Sequence, residues 1–104
     1  MKLRLLSEAE LDLELGADFY ESQRMGLGIY FSDSLASDIE SLQLYGGIHE
    51  LYREFFRCFS KRFPFAIYYK LHDNCVEVYA VLDCRKDPAA IDAILNSPRA
   101  NKST

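Results

Sequence analysis

Apolar positions recur along this chain with two different periods, and the change between them falls near its middle. Leu11, Leu15 and Phe19 stand four apart, with Ala17 and Tyr20 close by, which predicts an amphipathic helix. Ser7 and Glu10 match the Ser-x-x-Glu capping box, in which two side chains reciprocally satisfy free backbone amides at a helix start. This helix is expected to run to about Met25, where Gly26-Leu27-Gly28 breaks it. Phe31, Leu35, Ile39 and Leu42 then repeat at helical spacing up to Gly46-Gly47, predicting a second helix. So short a connector makes the pair an antiparallel hairpin. Ahead of them, Lys2–Leu6 alternates and reads as an edge strand.

Beyond Gly47 the period falls to two. Tyr52–Phe59, Phe65–Leu71 and Cys75–Leu82 are rich in aromatic and β-branched residues and are predicted strands, with His72-Asp73-Asn74 as a turn. Pro88 is expected to open a short last helix ending near Leu95. The order is β-α-α-β-β-β-α. That is an α+β fold with an N-terminal helical hairpin packed on one face of an antiparallel sheet. Residues 1–95 are expected to form one domain, and 96–104 a flexible polar tail with nothing apolar to bury.

The sheet carries an anomaly. A sheet with one wet face alternates apolar and polar residues. Here Phe65, Ile67, Tyr69 and Leu71 would point one way and Ala66, Tyr68, Lys70 and His72 the other. Val76, Val78, Ala80 and Leu82 would oppose Cys75, Glu77, Tyr79 and Val81. Neither face is clearly polar, and a helical hairpin covers only one. The second face is expected either to be covered by something else or to present tyrosines whose hydroxyls reach water.

The net charge of −4 argues against a dedicated nucleic-acid binder, and its distribution sharpens the picture. Residues 7–44 hold nine acids and one base, whereas 45–104 hold nine bases and seven acids. No apolar run approaches the roughly 18–20 residues that span a bilayer. The N-terminus turns acidic at Glu8 before a signal-peptide core forms, so a cytoplasmic location is expected. Cys58, Cys75 and Cys84 are odd in number and lack Cys-x-x-Cys spacing, which indicates neither a disulfide framework nor a zinc site. They read as small apolar strand residues. No cofactor or metal is expected: there is no paired His/Cys spacing and no Gly-rich loop between strand and helix.

Several segments together resemble one family. Phe19-Tyr20-Glu21 with Gly26-Leu27-Gly28 and Phe31 looks like the inter-helix turn of ParE-type toxins. Arg53 followed by Phe63-Pro64-Phe65-Ala66-Ile67-Tyr68-Tyr69 resembles that family's arginine and Phe-Pro strand opening. Val78–Leu82, Asp83, Cys84, Arg85, Lys86, Asp87 and Pro88 are similar to its last strand and exit. The pieces occur in order over about residues 3–95. On this basis the chain resembles the RelE/ParE superfamily, toxins of type II toxin–antitoxin (plasmid stabilisation) modules that inhibit growth.

The resemblance implies a cognate antitoxin whose C-terminal segment wraps the toxin, often as a helix and an added strand. Arg53, Arg57, Lys61, Arg62 and Lys70 are the candidate antitoxin-binding residues, facing an acidic segment; they read equally as a solvated strand face. The ParE-like branch is favoured, and it implies binding to DNA gyrase without a catalytic set. Arg85, Lys86 and the helix over 89–95 are then the candidate target contacts, with Arg85 reading equally as a loop scaffold. Truncation after Pro88 is then expected to abolish poisoning while sparing antitoxin binding. The alternative is a RelE-like, ribosome-dependent messenger-RNA endonuclease, whose candidate catalytic residues are Lys61, Arg62, Tyr68 and Arg85. Its ribosome and mRNA partners fit less well. The chain's pI is about 5.1 and no tyrosine or histidine follows Arg85. His49 and His72 read as surface residues in a loop and a turn. A third reading is a non-toxic protein-interaction domain of the same fold, with no membrane or direct DNA contact.

Overall fold

The structure is a computed structural model that describes residues 1–99. Strand β1 (Lys2–Leu5) leads into helices α1 (Ser7–Gln23) and α2 (Leu27–Tyr45). Strands β2 (Leu51–Tyr52), β3 (Phe55–Phe59), β4 (Phe65–His72) and β5 (Cys75–Asp83) follow, and helix α3 (Pro88–Asn96) comes last. The five strands form one sheet in the order β1-β5-β4-β3-β2. The α+β class and the helical hairpin agree with the sequence reading. Two details of the sheet differ. β1 pairs with β5 in parallel, so the sheet is mixed rather than antiparallel. The strand expected over Tyr52–Phe59 is two strands joined at Arg53-Glu54, with Tyr52 opposite Phe55.

Local chemistry explains the turns. Asp73 and Asn74 both have positive φ, 47° and 61°, as a two-residue type I′ hairpin requires. Gly26 caps α2 at φ 88°, a backbone region that side chains disfavour. The Glu21 carboxylate then accepts from the Gly26 N–H at 3.1 Å and the Gly28 N–H at 2.9 Å, so one acid supplies the missing N-cap. The capping box expected for α1 does not form. Ser7 is already inside the helix, Leu6 is the N-cap, and the Ser7 hydroxyl reaches only Glu8. At the last helix, Asp87 accepts from the Ala89 N–H and Pro88 stands in the first turn, as its spacing predicts.

The apolar stripe assigned to α1 is on the wrong side. Leu11, Leu15 and Phe19 are 50%, 58% and 50% exposed, while Ala9 and Gly16 are buried, with Leu13, Ala17 and Tyr20 packed against the core. On α2 the expected residues, Phe31, Leu35, Ile39 and Leu42, are all buried. They meet Ile67, Tyr69, Val76, Val78 and Val81 to form the main core between hairpin and sheet.

Something does cover the second face, and it is α3. Ile91 and Leu95 pack on Phe55, Ala66, Tyr68, Ala80 and Leu82. The strand alternation reverses part-way along β5 to make this possible. Tyr68 pairs with Ala80 but Tyr69 pairs with Val78, so Tyr79 is an extra residue, a β-bulge. Val76 and Val78 therefore face the hairpin, while Ala80 and Leu82 face α3. The tail expected from Asn96 is also tied down in part. Arg99 donates to Asp12 at 2.8 Å, with both side chains nearly buried. Residues 100–104 of that tail lie outside the described residues.

Candidate functional site

The bases are distributed along the sheet by the direction of its strands. Extended chain rises about 3.3 Å per residue, so the six residues from Phe55 to Lys61 separate two ends by roughly 20 Å. At one end are Arg53 and Lys70. At the other, the loop from Ser60 to Pro64 meets the turn after β5, tied by the Cys84 N–H donating to the Pro64 carbonyl at 2.7 Å. This puts Lys61, Arg62, Arg85 and Lys86 at the same end of the sheet. The five residues Arg53, Arg57, Lys61, Arg62 and Lys70 thus do not make the single basic surface expected from their closeness in sequence.

The first end is neutralised. Arg53 pairs with Asp92 of α3, which also accepts from the Tyr52 hydroxyl at 2.7 Å. Arg53 stands at φ 60° as the first central residue of the two-residue turn between β2 and β3, a backbone region that non-glycine residues disfavour. Lys70 lies 4.8 Å from the Phe55 ring centroid and 3.8 Å from Glu54. Arg57, mid-strand, lies over the Tyr52 and Phe59 rings at 4.4 and 4.9 Å. These three are built into aromatic surface.

The second end is open. Lys61, Arg62 and Lys86 are exposed, and none has an ion-pair partner among the described residues. Arg85 is different. Its guanidinium chelates the Asp83 carboxylate at 2.9 and 2.7 Å, and the Arg85 N–H bonds the same group at 2.8 Å. The pair raises the Arg85 pKa and lowers that of Asp83. Of its two readings, loop scaffold and target contact, the chelate supports the first. A second acid anchors the neighbouring loop. Asp38, buried on α2, accepts from the Ser60 hydroxyl at 2.7 Å and the Lys61 N–H at 3.3 Å. Nothing in the sequence near Asp38 marks this role.

The four candidate catalytic residues are not one constellation. Tyr68 is 2% exposed, facing α3, and burial pushes its phenol up. Arg85 is held by Asp83, and Lys61 and Arg62 stand in solvent. Cys58 lies in β3 and Cys75 in β5, but Cys84 is exposed in the turn beyond β5. Burial raises the Cys58 thiol, which keeps it protonated. Among the described residues no three His, Cys, Asp or Glu groups are placed to hold a metal, and no helix is long and apolar enough to cross a membrane.

His72 is the surface residue expected, 3.6 Å from Glu77. His49 is not. Its Nδ1 lies 2.6 Å from the hydroxyl of buried Tyr69, which also accepts from the Gly47 N–H. Which of the two groups donates depends on the imidazole tautomer. Burial lowers the His49 pKa from 6.5. The contribution of this contact to stability is therefore complete above about pH 6.5 and is lost as pH falls through the lowered folded value. His49→Phe is expected to flatten that part of the stability curve, read as urea midpoints between pH 7.5 and 5. An unchanged slope in the variant would assign the loss to other groups.

With this geometry in hand, one comparison bears on the chain. A chain from a solved structure described as "Chromosomal ParDE TA system from P. aeruginosa" superposes with a TM-score of 0.67 at 16% sequence identity. The match covers 78% of this chain and 92% of that one. The two share a fold. No protein-family model matches this chain, and no curated protein matches it by sequence. The ParDE likeness therefore speaks to architecture alone.

Proposed function

We propose that the chain is the toxin of a toxin–antitoxin module, neutralised by a polypeptide encoded beside it, and that it acts by binding DNA gyrase. The observation that carries this reading is the ParDE fold likeness, extending over nine-tenths of the neighbour's length. It is supported by the ordered motif resemblance in the inter-helix turn, the Phe-Pro strand opening and the β5 exit. Lys61, Arg62 and Lys86 are the proposed target contacts, since they are the uncommitted cations at one end of the sheet. Arg85 shapes the turn that presents Lys86. Arg57 and Lys70, stacked on aromatic rings, together with Arg53 are proposed to lie beneath the antitoxin, contributing apolar and aromatic area as much as charge.

The ribonuclease alternative needs a group that takes a proton from the attacking hydroxyl and another that returns one to the leaving oxygen. Tyr68, its best candidate here, is enclosed beneath Arg57 and α3. Binding without chemistry is the better-supported mode.

The test is pulse-labelling of protein and DNA in bacteria within minutes of inducing the chain without its neighbour-encoded partner. DNA synthesis failing first is the expected result. Protein synthesis failing first would replace gyrase with the translation machinery, and normal growth would remove the toxin reading.

A further inference from the structure

β1 ends at Leu5, paired with Val78, whereas β5 continues to Asp83. Tyr79–Asp83 therefore has no strand on its outer side among the described residues. By strand alternation, the groups facing that side are the Tyr79 carbonyl and the backbone of Val81 and Asp83, because Ala80, Leu82 and Cys84 turn theirs toward β4 and Pro64. Unpaired backbone of this kind is a template for another strand unless it is blocked. It is blocked here by side chains. Asp12 Oδ2 accepts the Val81 N–H at 3.0 Å, and Arg99 donates to the Tyr79 carbonyl at 3.4 Å while pairing with Asp12 at 2.8 Å.

The same edge floors a groove of about 290 Å³ lined by Asp12, Leu15, Val81, Lys86 and Ile94. Leu15, from the outward stripe of α1, stands on one side and Ile94 of α3 on the other, with Asp83 also lining the groove. An added strand sends alternate side chains to opposite faces, so both of its faces would meet apolar surface.

We propose that the Tyr79–Asp83 edge is a strand-accepting slot that the chain closes on itself with Arg99, and that its occupant is an extended partner segment carrying a basic side chain opposite Asp12. The occupant's backbone takes over the Val81 N–H and the Tyr79 carbonyl. Asp12 is then released among Leu15, Val81 and Ile94, where burial already raises its pKa, and keeping it ionised there without a partner is strongly unfavourable. The incoming segment must therefore supply the cation that Arg99 supplied. The acid-rich first half of the chain, nine acids to one base over residues 7–44, favours the same sign. This inference rests on the reading of a neighbour-encoded protein partner. It adds where that partner docks, that a base is required, and that Arg99 competes with it.

The experiment uses the full chain, wild type and Arg99→Ala, titrated calorimetrically with the neighbour-encoded polypeptide. Amide hydrogen exchange is read over residues 76–84. Apparent affinity scales with the fraction of open slot, so a plug in place nine-tenths of the time predicts about tenfold tighter binding by Arg99→Ala. Asp12→Asn also loosens the plug but removes the acid, and is expected to gain nothing. Val81 and Asp83 amides should become protected in the complex. Should Arg99→Ala not fold, judged by its thermal transition, Arg99→Met keeps the aliphatic stem and replaces it. If wild type binds but the Arg99 variant binds equally or less well, or protection falls elsewhere, the slot is wrong while the partner reading stands. If wild type does not bind the polypeptide, the partner reading itself fails and the slot with it.

Discussion

Phe31→Ala is expected to destabilise the chain by about 3–5 kcal/mol, the usual cost of deleting a buried phenyl ring. Phe31 is fully buried where α1, α2 and the start of β4 converge. Its ring stacks on Tyr20 at 5.3 Å and meets Phe63 and Phe65 edge-on at 5.1 and 4.9 Å. Gly16 of α1 forms the remaining wall. A Cβ built there would come within 2.6 Å of the Phe31 ring, closer than real contacts allow. The absence of a side chain at position 16 is thus what lets the ring fit, and a rigid wall of backbone collapses poorly into the hole that alanine would leave. Against a total stability on the order of 5–15 kcal/mol, this loss is a large fraction. Phe19→Ala is the control. Phe19 is half exposed on α1, and its loss should change stability by no more than about 0.5 kcal/mol. Urea denaturation of both variants checks the pair. A Phe31→Ala change below about 1 kcal/mol would mean that the aromatic cluster is loosely packed, contrary to these distances.

The contrast between positions 19 and 31 shows where sequence patterning reached the fold and where it stopped. α2 was legible because its buried face carries bulky residues at helical spacing, so periodicity and burial coincide. On α1 periodicity points to the wrong face, because the helix packs on the core through small residues, Ala9, Gly16 and Ala17, with Gly16 against Phe31, and leaves the bulky stripe outside. Period alone identifies a helix but ranks its faces by hydrophobicity, which here points to solvent. In β5 the alternation Val76, Val78, Ala80, Leu82 continues unbroken in sequence, and nothing marks Tyr79 as the extra residue that reverses it. That bulge makes the second apolar face, and so the need for α3. The candidate site divides the same way. Lys61, Arg62, Arg85 and Lys86 lie at the boundaries of recognisable strands, so their common end of the sheet follows once the strands are placed. Arg53 and Lys70 group with them in the sequence only because distance along extended chain is easily underestimated. Asp12 with Arg99, and Asp38 with Ser60, join distant segments and leave no local signal.

A chain ending at Asp87 is expected to lose cooperative folding, or at the least to unfold at much lower urea. Such a truncation was the natural test for a target-binding last helix, but α3 belongs to the second core. Ile91 and Leu95 are 7% and 5% exposed, on a surface that includes Phe55, Tyr68 and Leu82. Truncating two such aliphatic side chains to alanine costs about 2–5 kcal/mol each, and deleting the helix also uncovers the rings beneath them. It would further remove Asp92, leaving Arg53 without its acid at a strained φ, and Arg99, leaving Asp12 without its base. Ile91→Ala with Leu95→Ala isolates the packing part and should bring increased binding of a hydrophobic dye along with the lowered midpoint. Loss of poisoning in the truncated chain would therefore report unfolding rather than a lost contact. Lys86→Glu separates the two, because Lys86 is exposed and carries no ion pair among the described residues, so the substitution should alter target binding with little change in stability. A truncated chain that unfolds cooperatively at the wild-type midpoint would show that α3 only rests on the sheet, and would return the helix to the list of target contacts.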